Sequence, residues 1–226
     1  MQQHDIEQAI AERFDALADR FPEELDPEDF RMRVVADFFG EIKGAKVLDV
    51  GCAKGRFAKA LAKLDAKVVG VDSSEKLIES ARVNVPIAEF FVGSATHLDF
   101  QNNAFDRVLC VETLEHIPDI EKAIAEMMRV VKSGGKVLII DKNKFSFHPT
   151  IFIPRLALKT LMEYCNQWFY PRNFPFHEQW FSNHTIEQML EKYASRVESS
   201  YLKDTENKLF SFLPFLNFFI AWKAIK

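Results

Sequence analysis

Lys46-Val47-Leu48-Asp49-Val50-Gly51-Cys52-Ala53-Lys54-Gly55 is the stretch that decides how this chain folds. Its first half is a short apolar run broken only by Asp49, and it reads as a buried strand. Its second half places Gly51, Ala53 and Gly55 at alternate positions and leads directly into Phe57 to Leu64, which reads as a helix. Small residues at such a turn let the backbone fold sharply and approach a ligand closely. The helix start adds amide groups that lack intrahelical partners.

Outward from this turn the pattern repeats. Lys67 to Val71, Glu89 to Val92, Asp106 to Val111 and Lys136 to Ile140 are further strands, separated by helices over Glu75 to Val83 and Ile120 to Val131. Strands alternating with helices imply a parallel sheet covered on both faces. Upstream, Ile6, Ile10, Phe14 and Leu17 recur at helical spacing. Val34, Val35, Phe38 and Phe39 start a second helical face after Pro22 and Pro27. Downstream, Pro154 to Tyr170 reads as an inserted helix. Leu158, Leu161, Met162, Cys165, Trp168 and Phe169 form its apolar face; Arg155, Lys159, Glu163 and Gln167 share the other. Thr185 to Tyr193 is a helix with Thr185 and Gln188 at capping-box spacing. Val197 to Leu202 and Phe218 to Trp222 are closing strands.

Composition sharpens this layout. All eight glycines fall at or before Gly135, whereas 19 of the 29 aromatic residues lie after Lys144. The glycine-bearing half carries the tight turns, and the aromatic half is where a variable pocket belongs. A net charge of -4 over 226 residues argues against a generic polyanion binder. Three cysteines do not make a disulfide framework. Neither Cys/His spacing for zinc nor a carboxylate set for magnesium is apparent, so no metal site is expected. The opening Met1-Gln2-Gln3-His4-Asp5 lacks the blocks of a secretory leader, and Leu209 to Trp222 is too short to span a membrane. A cytoplasmic protein is expected.

Asp72 ends the second strand, 17 positions beyond Gly55, where a carboxylate can accept hydrogen bonds from a ribose diol. The dinucleotide fingerprint needs a small residue at its sixth position, which here is Arg56. The chain instead resembles the class I S-adenosylmethionine-dependent methyltransferases. Val47-Leu48-Asp49-Val50-Gly51-Cys52 resembles their first motif and Val69-Gly70-Val71-Asp72 their second. Phe91-Val92-Gly93-Ser94-Ala95 resembles the third. Ala104 to Asp119 is similar to the fourth-strand motif, and Arg129 to Lys136 to the turn before strand five. The resemblance covers residues 45 to 142. Two positions depart from the pattern: Ala53 replaces the commoner glycine, and Ser94 stands where the family usually has an Asp that accepts from the adenine amino group.

The resemblance implies a Rossmann-like, doubly wound and mostly parallel α/β sheet of seven strands, with helices on both faces and a helical lid after strand five. It implies one methyltransferase domain over 1-226: a helical cap (1-44), a cofactor-binding core (45-142), an aromatic insertion (143-183) and closing elements (184-226). S-adenosyl-L-methionine is the implied cofactor. Asp49, Gly51, Cys52, Ala53 and Gly55 would face its methionine part, Asp72 and Ser73 its ribose. Ser94 and Ala95 would flank adenine, and Cys110 and Val111 the sulfonium.

His116, a few residues beyond strand four, is the candidate general base, with Glu112 and Glu115 as alternatives. The competing account of His116 is packing or capping at the next helix. Phe14 and Arg13 resemble N-terminal elements that close over the cofactor in small-molecule members. Val111-Glu112-Thr113-Leu114 occupies the place of the Asn/Asp-Pro-Pro-aromatic motif, which argues against methylation of nucleic-acid bases. Lys142 to Arg172 carries five Lys/Arg against one Glu. A basic, aromatic, amphipathic helix suits an anionic membrane surface, and this layout resembles that of quinone- and lipid-directed methyltransferases. The expected activity is O-methylation of a small hydrophobic acceptor, with peripheral membrane contact through 154-170. The alternatives are an inactive cofactor-binding partner subunit and a nicotinamide-dependent oxidoreductase.

Overall fold

The computed structural model describes residues 3–203 and 206–226. Met1 and Gln2, the first residues of the stretch read for a leader, lie outside the described residues, as do Asp204 and Thr205. Among the described residues, seven strands form one sheet in the order β3-β2-β1-β4-β5-β7-β6. Here β1 is Lys46–Val50, β2 Lys67–Asp72, β3 Glu89–Val92, β4 Phe105–Val111, β5 Val131–Lys142, β6 Arg196–Leu202 and β7 Phe219–Ile225. All pairings are parallel except those of β7, which runs antiparallel to β5 and to β6.

Burial on both faces explains why the strands are almost wholly apolar. Successive residues alternate between two cores. Leu48, Val50, Val108, Cys110, Val137, Ile139 and Trp222 face one side, where Ile124, Met127, Ile186 and Leu190 meet them from α5 (Ile120–Val130) and α7 (Asn183–Leu190). Val47, Leu109, Val111, Leu138, Ile140 and Ala221 face the other. That side is covered by α2 (Phe30–Phe39), α3 (Arg56–Ala62) and α4 (Glu75–Asn84) through Val35, Phe39, Phe57, Leu61 and Ile78. The first helix, α1 (Gln3–Ala16), packs along α4.

Several elements differ from the sequence reading. The inserted helix, α6, spans only Arg155–Tyr164. Asn166 adopts a left-handed φ of 56°, and the amides of Asn166 and Gln167 turn back to Glu163 O and Met162 O at 3.0 and 2.8 Å. This ending removes Cys165, Trp168 and Phe169 from the helix. The faces of α6 are also reversed. Lys159 is buried and paired with Glu163 at 2.7 Å, while Leu161 and Tyr164 are 60% and 63% exposed. The α7 cap is Ser182, not Thr185: its side chain accepts from Thr185 N. A short helix, α8 (Lys208–Phe212), precedes β7 and was not legible as one. Finally, β5 begins at Val131, ahead of the expected Lys136, with an irregular register opposite Phe105 and Arg107.

The order of the strands reverses between β1 and β4, and loops leaving both strand ends there form a crevice. Gly51 enters this crevice with φ at 73°. A Cβ placed on it would lie 2.1 Å from Thr113 Oγ1, on the loop after β4. Gly51→Ala should therefore cost on the order of 3 kcal/mol through backbone strain and overpacking. Thermal denaturation checks this, and an unchanged melting temperature would contradict the close approach.

Candidate active site

A cavity of about 580 Å³ opens at this switch point. Asp49, Gly51, Cys52, Ala53, Asp72, Ser73, Ser94, Ala95, Val111 and His116 line it, as do Glu112 and Glu115. Two expected residues sit elsewhere. Cys110 is fully buried in the core facing α5, because strand alternation turns it away from its pocket-lining neighbour Val111. Gly55 is the α3 N-cap at φ 81°, packed beneath the loop near Phe90 and Val85. Burial raises the thiols of Cys52 and Cys110 well above their ordinary range, so neither is a ready nucleophile.

Asp72 organises the crevice. Its Oδ2 accepts from Ala53 N at 2.9 Å and its Oδ1 from Ser74 N at 3.0 Å. The first bond holds Ala53 in a left-handed conformation, φ 46°, that an L-residue adopts only with support. A carboxylate has about four acceptor positions, so these bonds leave capacity for a ribose diol. Burial raises the Asp72 pKa against the lowering effect of the two amides. Replacing Asp72 would therefore loosen the loop as well as remove a free acceptor from the crevice.

Asp49 meets the same crevice from β1. Its Oδ2 is buried and has no hydrogen-bond partner. Burial, opposed by Arg56 and reinforced by Asp72, pushes its pKa up to about 7. A buried carboxylate with one unpartnered oxygen suits a cationic ligand, and the ammonium and sulfonium groups of S-adenosylmethionine are cations. The tight approach at Gly51 and the free acceptor capacity of Asp72 fit the same molecule.

Beyond β4 the pocket changes character. Glu115 is fully buried, 2.7 Å from Lys142 Nζ and 3.3 Å from His116 Nε2. Lys142 also lies 3.7 Å from Glu178. Burial would raise the Glu115 pKa, but Lys142 and His116 outweigh it and hold the carboxyl below its ordinary range. Next to it, burial and the Glu115 charge raise Asp141 well above its ordinary value. The His116 Nδ1 is 3.1 Å from the hydroxyl of buried Tyr170. Phe14 and Phe169 pack on the His116 ring, with centroids 5.0 and 5.2 Å away. Arg13 donates to Phe169 O at 2.9 Å, tying α1 to the segment after α6. Glu112 is turned aside by Arg31 and by Arg56 at 3.0 Å.

Glu7, Lys142, Trp168, Phe169 and Glu178 also line the cavity, and the sequence reading did not single them out as site residues. Lys142 carried a usable signal, a charged residue at the carboxyl end of a buried strand. Glu7 and Glu178 come from elements whose placement only tertiary packing decides. Among the described residues no group of three or more His, Cys, Asp or Glu side chains is placed to hold a metal ion.

Comparison with known proteins agrees with this geometry. A family described as a methyltransferase domain matches residues 48–139. The ubiquinone biosynthesis O-methyltransferase of Alkalilimnicola ehrlichii is 31% identical over 182 residues, spanning 73% of this chain and 71% of that protein. The demethylmenaquinone methyltransferase of Renibacterium salmoninarum is 34% identical over 117 residues, 52% of this chain and 49% of that one. The crystal structure of an S-adenosylmethionine-dependent methyltransferase from Mesorhizobium loti shares the fold. Its TM-score is 0.68 at 16% identity, covering 88% of this chain and 99% of that one. None of these supports an inactive partner subunit or a nicotinamide enzyme. Glycine loop, buried carboxylate at the end of β2 and relatives all converge: the chain belongs to the class I S-adenosylmethionine-dependent methyltransferases.

Proposed function

We propose that this methyltransferase acts on the hydroxyl oxygen of a small hydrophobic acceptor with an aromatic ring, as in quinone biosynthesis. The observation that carries this reading is the aromatic box of Phe14, His116 and Phe169 beside the buried Glu115–Lys142 pair. A flat apolar ring packs against the open side of such a cluster, and a hydroxyl on it reaches the polar floor. When bound, S-adenosylmethionine supplies the electrophilic methyl group and its sulfur leaving group.

The chain's own task is to align the acceptor, exclude water and take a proton. With ionised Glu115 3.3 Å from Nε2, the favourable tautomer carries the ring proton there and leaves Nδ1 as the acceptor. An acceptor hydroxyl takes the place of the Tyr170 hydroxyl on Nδ1. While its oxygen is methylated, the acceptor hydroxyl would pass its proton to Nδ1. His116→Ala should lower turnover about 100-fold or more while leaving cofactor affinity unchanged. Tyr170→Phe, which leaves Nδ1 free, should keep turnover within about threefold. Equal losses in the two variants would make His116 structural.

Direct assay tests the acceptor class. Labelled methyl groups from S-adenosylmethionine should appear as an ether on a hydroxyaryl compound bearing an aliphatic tail. Label found only on an amine would contradict the proposal. Asp49 gives a separate check. Because a cationic cofactor favours its ionised form, affinity should rise about tenfold from pH 6 to pH 8, with proton release on binding below pH 7. Titration calorimetry in buffers of different ionisation enthalpy measures both, and Asp49→Asn should flatten the dependence.

A membrane as the source of the acceptor is favoured by an exposed apolar surface. Phe145, Ile151, Phe152, Leu161, Tyr164 and Phe212 are all exposed, and 143–153 packs against 207–217 through Asn143, Phe147 and Asn207. With Lys159 buried, hydrophobic insertion rather than a basic helix face would provide contact. Among the described residues no helix is long and apolar enough to cross a membrane. The chain should co-sediment with anionic vesicles, and Leu161→Asp with Tyr164→Asp should cut the bound fraction at least about threefold. Absence of binding by the unmodified chain would contradict membrane contact.

A further inference from the structure

Ser94 lies just beyond β3 and lines the crevice. Its hydroxyl is already committed. Ser94 Oγ lies 3.1 Å from Glu7 Oε2, Thr96 Oγ1 3.2 Å from Glu7 Oε1 and the two hydroxyl oxygens 2.8 Å from each other, so one hydroxyl donates to its neighbour and the other to Glu7. Ser94 Oγ in turn accepts from Thr96 N at 3.1 Å. Each hydroxyl has a single proton, so this corner of the pocket presents acceptors and negative charge, and its charge belongs to Glu7. Among the described residues no lysine, arginine or histidine pairs with Glu7; its other contact is Gln3 Nε2 at 3.2 Å.

Glu7 stands on α1, two turns before Phe14, and Ile10 and Phe14 of the same face line the same pocket. The helix is fixed at its far end by Asp15, which accepts from Ser74 Oγ and Lys76 N at the start of α4. One face of α1 therefore reaches from the Ser94 corner to the His116 box. With the ribose on Asp72 and the methyl group toward His116, the base lies at the Ser94 end.

We propose that Glu7 is the residue that selects adenine, accepting a hydrogen bond from its exocyclic amino group and so coupling cofactor occupancy to the docking of α1. This rests on the cofactor orientation given above. Oε2 accepts at most one bond in the structure and has a lone pair free for an amino donor. A carbonyl at the same ring position, as in hypoxanthine, would instead place acceptor against carboxylate. Discrimination by a pocket built for a donor is large because the mismatch leaves a charged acceptor facing another acceptor.

The test is calorimetric binding of S-adenosylhomocysteine and S-inosylhomocysteine, which differ at ring position 6 and at the adjoining N1, an acceptor in adenine and a donor in hypoxanthine. The unmodified chain should prefer the adenosyl compound by about tenfold or more. Glu7→Ala should narrow this preference to within about threefold, mainly by weakening the adenosyl compound. Glu7→Gln, which keeps a carbonyl acceptor, should fall between. Ser94→Ala should retain the preference. In hydrogen exchange, the adenosyl compound should protect α1 in the unmodified chain and less so in Glu7→Ala. An unchanged preference in Glu7→Ala, equal weakening of both compounds, or loss of preference only in Ser94→Ala would overturn the role of Glu7. Failure of the unmodified chain to bind S-adenosylhomocysteine would overturn the cofactor orientation, and the inference with it.

Discussion

One buried carboxylate, Asp72, ties together the parts of the chain that make the pocket. It joins the loop after β1 to the start of α4 through Ala53 N and Ser74 N, and the Ser74 hydroxyl carries the connection to Asp15 of α1. Hydrogen bonds to a charged acceptor contribute about 1.5–3 kcal/mol each. Two of them offset much of the several kcal/mol that burying an ion costs. The raised pKa of Asp72 shows that burial still outweighs the amides. A ligand that donates hydrogen bonds to Asp72 would offset the remaining cost.

The second concentration of buried charge, around Glu115, has a different logic. Lys142 and His116 keep Glu115 ionised, while Asp141 beside it is pushed toward its neutral form. The Glu115 contribution to stability is present above the ordinary glutamate range and is lost as pH falls through its lowered folded value. Asp141 has the opposite sign, with its contribution lost as pH rises through its raised value. Such a cluster is hard to justify as a stability device, since buried ion pairs are often neutral to stability. Its place on the pocket wall makes functional sense: perturbed groups gather where protons are handled.

Much of this was legible in the sequence. The strand-turn-helix at Lys46 to Gly55 and the carboxylate at Asp72 are set by local chemistry, and strand periodicity located the sheet. What was misread depended on tertiary partners. The α6 pattern alone made Lys159 and Glu163 a solvent face. In the fold they pair with each other against the body of the protein, leaving Leu161 and Tyr164 exposed. The helix end at Asn166 turned on one left-handed residue inside an otherwise helical pattern. Cys110 was placed in the site because its strand ends there, but strand alternation points it the other way. Glu7 was invisible as a site residue because its 87-residue separation from Ser94 is bridged only by the packing of α1.

A crystal structure of the chain with S-adenosylhomocysteine tests the account most directly. It should show the ribose hydroxyls on Asp72, the homocysteine part beside Asp49 and Gly51, and the base at the Ser94 corner under α1. A ligand bound outside this crevice, or one reversed within it so that the base meets His116, would contradict the account.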